Sequence, residues 1–288
     1  MSLNNVVKDI FWDCALTSEL AFNSIDELVG LWNNRNTSNE IKVEFKEASR
    51  ELFQKLVQKP QFINVDDDES DELVRVCILE FKDKYIVGFR GTETKLDLKS
   101  DIDIRKVPIT YNNKTLVYKR RNREHKLKMH CGFYRQYLRI KEYLDVILES
   151  FDKSKKVIFT GFSLGGALAT IASFYYRLKY PISVLGDYTP MWCVTYGSPR
   201  VGNKWFSKFY NVSVDAHIYR IILYGDSITR MPSFSRFKHI GTKIVLCKSG
   251  IKFKHSERHT IFKRLCICQN PFKFHSLHLY IKRLDKLL

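Results

Sequence analysis

The run from Val157 to Ala169, VIFTGFSLGGALA, narrows the fold more than any other stretch of the chain. A short apolar, β-prone segment leads into Gly161-Phe162-Ser163-Leu164-Gly165, and a small-residue helical pattern follows at once. A serine on a tight strand-to-helix turn needs glycines around it, because the turn is crowded and the helix must lie close against the strand. The turn lifts the hydroxyl above the sheet edge. It also leaves the backbone N–H of Leu164 at a helix N-terminus, where developing negative charge is stabilised. Glycine-rich turns also hold buried serines that do no chemistry. The strand before this turn and the helix after it mark Ser163 as a nucleophile on an elbow.

The rest of the chain supplies the scaffold such a turn requires. A helix is predicted over residues 5–22, where Val6, Val7, Ile10, Phe11, Leu16 and Leu20 share one side. A second is predicted over 41–58, with Phe45, Ala48, Leu52 and Leu56 as its stripe and Pro60 as its stop. An acidic loop, Asp66 to Glu72, is expected next, then a hairpin of Leu73–Phe81 and Tyr85–Phe89 joined around Lys82-Asp83-Lys84. The polar segment Thr92 to Lys128 reads as irregular, too long for an ordinary connection and therefore a candidate functional loop. A helix from about Phe133 to Phe151 precedes the elbow, and the helix after it runs to about Tyr180, where Pro181 ends it.

Trp192–Tyr196 and His217–Tyr224 read as buried parallel strands with loops at their C-terminal ends. Strands alternating with helices, with no internal repeat, predict an α/β fold: a doubly wound, mostly parallel central sheet with helices on both faces. In such a sheet the chemistry belongs at the carboxyl ends of the strands. For 288 residues, one domain over 1–288 is the simplest organisation, with residues 1–70 as a helical N-terminal extension packed on it.

Composition excludes several classes. No apolar run is long enough to span a bilayer, and the amphipathic start from Met1 to Phe22 does not read as a secretory signal. Seven scattered cysteines do not form a disulfide framework and point to reduced thiols in a cytoplasmic protein. Lys and Arg number 48 against 31 Asp and Glu, a formal balance of +17. The excess gathers in Lys114 to Lys128 and from Arg230 onward. A field of this sign attracts polyanions, either nucleic acid or an anionic membrane, or is simply a solvated face.

A serine hydroxyl needs a neighbouring base to take its proton and a carboxylate to orient that base. In hydrolases built on an elbow the chain order is Ser, then Asp or Glu, then His. Asp226 ends the run IILYGD, just past an apolar strand and on the sheet edge where Ser163 must also lie, whereas Asp187 and Asp215 sit in polar loops. His239, His255, His259, His275 and His278 all follow it. His239 falls in a basic turn that suits a surface role. His275 precedes a helical pattern (Leu277, Tyr280, Ile281, Leu284) that would hold it in place, and His278 is its rival. His255, His259, Cys266 and Cys268 carry zinc-ligating groups, but the Cys-x-Cys spacing is tight, and no metal is expected.

Several blocks together resemble the class 3 (fungal-type) lipases, α/β-hydrolases acting on lipid esters. Phe89-Arg90-Gly91-Thr92 resembles the family's oxyanion strand end, which implies that Thr92 and Leu164 bind the oxyanion. Asp97 to Ile102 resembles the segment that follows, with Leu98 where tryptophan is common. His130-Cys131-Gly132-Phe133 is similar to the block that opens the pre-elbow helix, and the resemblance makes His130 structural. Phe162 replaces the histidine that usually precedes the serine. Thr195 to Asn203, TYGSPRVGN, matches a specific block, Asp226 with Pro232 resembles the Asp-containing turn, and His275-Ser276 with Tyr280 and Ile281 resembles the terminal block.

The resemblance thus favours His275 over His278. It implies acyl transfer through Ser163, Asp226 and His275 without a cofactor, on acylglycerol or phospholipid esters. Basic residues interleaved with Tyr111, Leu116, Val117 and Tyr118 suit docking to an anionic membrane surface as a peripheral protein. The alternatives are a catalytically silent lipase-like module that binds lipid or protein, and nucleic-acid binding through the basic surface. No recognition motif supports specific nucleic-acid binding.

Overall fold

Alternating apolar residues along the strands divide the interior into two cores, one on each face of the main sheet. A computed structural model describes residues 5–37, 45–67, 70–91, 105–181, 191–214, 217–232, 237–254 and 272–288. The chain opens with α1 (Asn5–Leu20), α2 (Ile25–Asn33) and α3 (Lys46–Gln54). α2 starts at a capping box, with the Ser24 hydroxyl accepting from the Glu27 N–H and the Glu27 carboxylate accepting from the Ser24 N–H. β1 (Gln61–Asp67), β2 (Ser70–Glu80) and β3 (Lys84–Phe89) follow as an antiparallel meander. The acidic stretch expected as a loop is therefore largely strand. Pairing across the β1–β2 hairpin, which includes Asp67 opposite Ser70, outweighs the low strand propensity of its acidic residues.

The described part of the segment read as irregular, residues 105–128, is built of short strands. These are β4 (Lys106–Pro108), β5 (Thr110–Tyr111), β6 (Lys114–Thr115), β7 (Val117–Arg120), β8 (Arg123–Lys126) and β9 (Lys128–His130). Two hairpins, β5–β6 and β7–β8, turn at Asn112-Asn113 and Arg121-Asn122, all four residues having positive φ. That geometry is the two-residue turn whose twist matches its strands. Ile109 and Leu127, fully buried, tie the pair of hairpins to the body.

The remainder alternates as expected. α4 (Cys131–Glu149), β10 (Lys156–Phe162) and α5 (Leu164–Lys179) form the unit around the elbow. β11 (Met191–Tyr196) is buried at every residue, and β12 (Gly202–Asn203), α6 (Lys204–Ser213) and β13 (His217–Leu223) come next. The chain then runs through β14 (Phe237–Lys238), β15 (Thr242–Cys247) and β16 (Gly250–Lys254) to α7 (Leu277–Asp285).

The main sheet has the order β1-β2-β3-β10-β11-β13-β15-β16. β3, β10, β11, β13 and β15 run parallel, with the antiparallel strands β1, β2 and β16 outside them. Val157 and Phe159 of β10 face the core shared with α4 and α5, while Ile158 faces the core shared with α1 and α7. This is a mostly parallel sheet with helices on both faces. α1 is fastened to it by specific bonds: the Ser18 and Thr160 hydroxyls meet at 3.1 Å, and the Tyr196 hydroxyl donates to the Phe11 carbonyl. Among the described residues, no helix is long and apolar enough to cross a membrane.

Candidate active site

β10 delivers Ser163 to the carboxyl edge of the sheet, and α5 carries the chain away from it within one residue. The cost of so sharp a reversal falls on the serine backbone, held at φ 55° and ψ −121°. The reversal requires glycine at 165, because a Cβ there would collide with the Phe89 carbonyl at the end of β3. Gly91 is equally constrained, since a Cβ on it would stand 2.7 Å from the Phe162 carbonyl oxygen. The end of β3 is thereby pressed against the elbow. Leu164 is the first residue of α5, so its N–H belongs to the unpaired first turn of that helix. Thr92, the other expected oxyanion residue, lies outside the described residues.

Asp226 follows β13 by way of Tyr224 and Gly225, and His275 precedes α7. The two side chains and the serine form a row: His275 Nε2 lies 2.7 Å from Ser163 Oγ, and His275 Nδ1 lies 2.9 Å from Asp226 Oδ2. A carboxylate can only accept, so Nδ1 donates to Asp226 and Nε2 is left as the acceptor for the serine hydroxyl. The three residues are 1 %, 2 % and 8 % exposed for Ser163, Asp226 and His275, a setting dry enough to strengthen each bond. Such a row can lift the proton from the serine as its oxygen attacks an electrophile.

Two residues that sequence reasoning did not assign to the site hold the row in place. The Tyr280 hydroxyl donates to Asp226 Oδ2 at 2.6 Å, while the Ile228 N–H donates to Oδ1 at 3.0 Å. Burial, with the Asp226 charge behind it, pushes the Tyr280 phenol well above its ordinary pKa and keeps it a donor. Tyr280 sits at the apolar spacing of a packing residue, which is how it reads in sequence. Phe162 stacks on the His275 imidazole at 4.6 Å and meets Tyr280 edge-on at 5.8 Å. The residue in place of the usual histidine is thus a wall of the site.

The other candidates fall elsewhere. His278 packs against Phe45 at 5.1 Å, and buried His130 stacks on Phe133 at 4.0 Å. His239 is half-buried and hydrogen-bonded through Nε2 to the Thr229 carbonyl at 2.7 Å, not the surface histidine its basic surroundings suggest. Asp187, Asp215, His255, His259, Cys266 and Cys268 lie outside the described residues. Among those described, no three metal-ligating side chains converge. Cys14, Cys77, Cys131, Cys193 and Cys247 are free thiols, and burial pushes Cys77 up to about 12 and Cys193 up to about 11.

Residues 86–236, just over half of the chain, match the family model described as Lipase (class 3). The chain belongs to the class 3 lipase family. It is 42 % identical over 77 residues to secreted mono- and diacylglycerol lipase 1 of Fusarium solani, covering 27 % of this chain and 20 % of that protein. It is 26 % identical over 203 residues to phospholipase A1-II 1 of Oryza sativa subsp. indica, covering 64 % of this chain and 47 % of that one. The chain thus spans from about a fifth to just under half of the length of these two relatives. Lipase II from Rhizopus niveus superimposes with a TM-score of 0.66 at 22 % identity, over 96 % of this chain and 93 % of the Rhizopus chain. Rhizomucor miehei triacylglyceride lipase does so at 0.60 and 18 %, over 85 % and 82 %. Both are likenesses of fold.

Proposed function

We propose that this member of the class 3 lipase family is a serine hydrolase that cleaves carboxylic esters of lipids through an acyl-enzyme. The observation that carries the reading is the buried row Ser163–His275–Asp226, with both of its bonds under 3 Å. His275 takes the Ser163 proton as Oγ attacks the ester carbonyl, and Asp226 stabilises the imidazolium that results. The N–H groups of Leu164 and Thr92 hold the tetrahedral oxyanion, each contributing roughly 3 kcal/mol. The imidazolium then gives its proton to the departing alkoxide, and the acyl group stays on Ser163. Water, deprotonated by His275, releases the acid and restores the serine. Every proton is handled by these side chains, so the cycle closes without a cofactor.

Acylglycerols or phospholipids are the substrates, consistent with what the named relatives act on. An ester of this kind is presented at a lipid surface, and the +17 balance of the chain draws it to an anionic one. Purified protein incubated with diacylglycerol and with phosphatidylcholine is expected to release fatty acid from at least one of them. Absence of release from either, with a folded protein, contradicts the reading.

A further inference from the structure

We infer that the β7–β8 hairpin and the outer face of α6 form the surface by which this protein docks on anionic lipid bilayers, an inference that rests on the lipid-ester reading. The hairpin is braced at its base by ring contacts. Trp205 of α6 lies against it, with the His125 ring stacked at 3.7 Å and Tyr118 at 5.8 Å. Tyr118 and His125 face each other across the two strands, so both strands are held by one indole. From that base the hairpin projects a tip that turns at Arg121-Asn122, with Arg120 and Arg123 paired across it.

The charge at this tip works against folding. Like charges directly opposite each other on a hairpin destabilise it, and here a third guanidinium occupies the turn between them. All three arginines are exposed, and no described carboxylate neutralises any of them. Lys119 and Lys126 are exposed on the same hairpin, and its one acidic residue, Glu124, is spent on Lys119 at 3.3 Å. Lys204 and Lys208, also exposed, extend the patch over the Trp205 ring, at 4.4 and 5.5 Å from its centroid. A cluster this unbalanced is relieved by an external anion. Its pre-ordered backbone means that little flexibility is lost when one is met.

The occupant is a bilayer rather than a nucleic acid. Single-stranded nucleic acid is gripped by aromatic rings free to stack on bases, whereas Tyr118, His125 and Trp205 are stacked on one another. Guanidiniums on a projecting turn reach lipid phosphates and carboxylates at a surface, and half-buried apolar Val117 and Leu116 lie just behind them.

The test is co-sedimentation of the full chain with phosphatidylcholine vesicles and with mixed phosphatidylcholine–phosphatidylserine vesicles, beside turnover of a short-chain ester in solution. Wild type is expected to bind the mixed vesicles only. The triple variant Arg120→Gln, Arg121→Gln, Arg123→Gln is expected to bind them about a hundredfold more weakly. Its turnover of the soluble ester should be unchanged, which also shows that it is folded. A second triple variant, Lys59→Gln, Lys82→Gln, Lys248→Gln, removes the same charge from exposed positions elsewhere and should bind within a few-fold of wild type.

Equal losses in both variants would mean that diffuse charge does the work and would overturn the proposal. So would undiminished binding by the arginine variant, or vesicle-independent binding to DNA through these arginines. A wild type that docks but never turns over the soluble ester contradicts the hydrolase reading and leaves the surface standing.

Discussion

Asp226 accepts hydrogen bonds from His275, Tyr280 and the Ile228 N–H, and only the first of these belongs to proton transfer. The other two fix where the carboxylate points. Removing the phenolic hydroxyl in Tyr280→Phe frees one lone pair of a buried carboxylate while keeping the ring that packs on Phe162 and Tyr196. A hydrogen bond to a charged group contributes roughly 1.5–3 kcal/mol, so kcat on a soluble ester is expected to fall by about tenfold or more with KM unchanged. A variant that loses only thermal stability would mark Tyr280 as a packing residue. Ser163 and Asp226 are legible in the sequence because each ends an apolar strand. His275 is harder to read: five histidines follow Asp226, the helical pattern after His275 favours it with His278 as a rival, and the terminal-block resemblance separates those two. Tyr280 is hidden because a buried donor and a core aromatic occupy the same helical spacing.

At the scale of elements, the elbow depends on how closely α5 approaches β3. Gly165→Ala is expected to cost about 3 kcal/mol or more, because its methyl meets a backbone carbonyl that cannot yield. Gly30 in α2 is the contrast: a Cβ there meets nothing within 4 Å, so Gly30→Ala should stabilise by roughly 0.5–1 kcal/mol. Urea unfolding of both variants reads the difference, and a mild Gly165→Ala would mean the helix can slide. The long helices and the buried parallel strands are readable because their apolar periods are strong. α2, only nine residues long, is not among the helices expected from the sequence; its Ser24–Glu27 capping box is the signal that could have marked it. β1 and the strands of residues 105–128 escape the eye for another reason. They are two to seven residues long, and pairing rather than alternation defines them.

Across the whole molecule, a net charge of +17 meets a half-buried histidine. Burial first, then the charges of Arg220 and Arg200, hold His239 well below its ordinary pKa, so the fold favours the neutral ring. The unfolded chain therefore binds a proton that the folded chain refuses, and stability rises with pH across the gap between the two values. As pH falls below about 6.5, wild type should lose up to about 1.4 kcal/mol per pH unit from this residue. His239→Gln keeps a donor for the Thr229 carbonyl without titrating, so its unfolding midpoint should fall less steeply on acidification. Parallel pH profiles would remove His239 from the stability balance.

The most direct measurement is covalent: react the folded wild type and Ser163→Ala with a fluorescent fluorophosphonate, and map the adduct by mass spectrometry. Labelling of wild type on Ser163, absent in the variant and matched by a loss of ester turnover on the order of a millionfold, is the expected result. A folded wild type that hydrolyses lipid ester without labelling at Ser163 would contradict the mechanism at its centre.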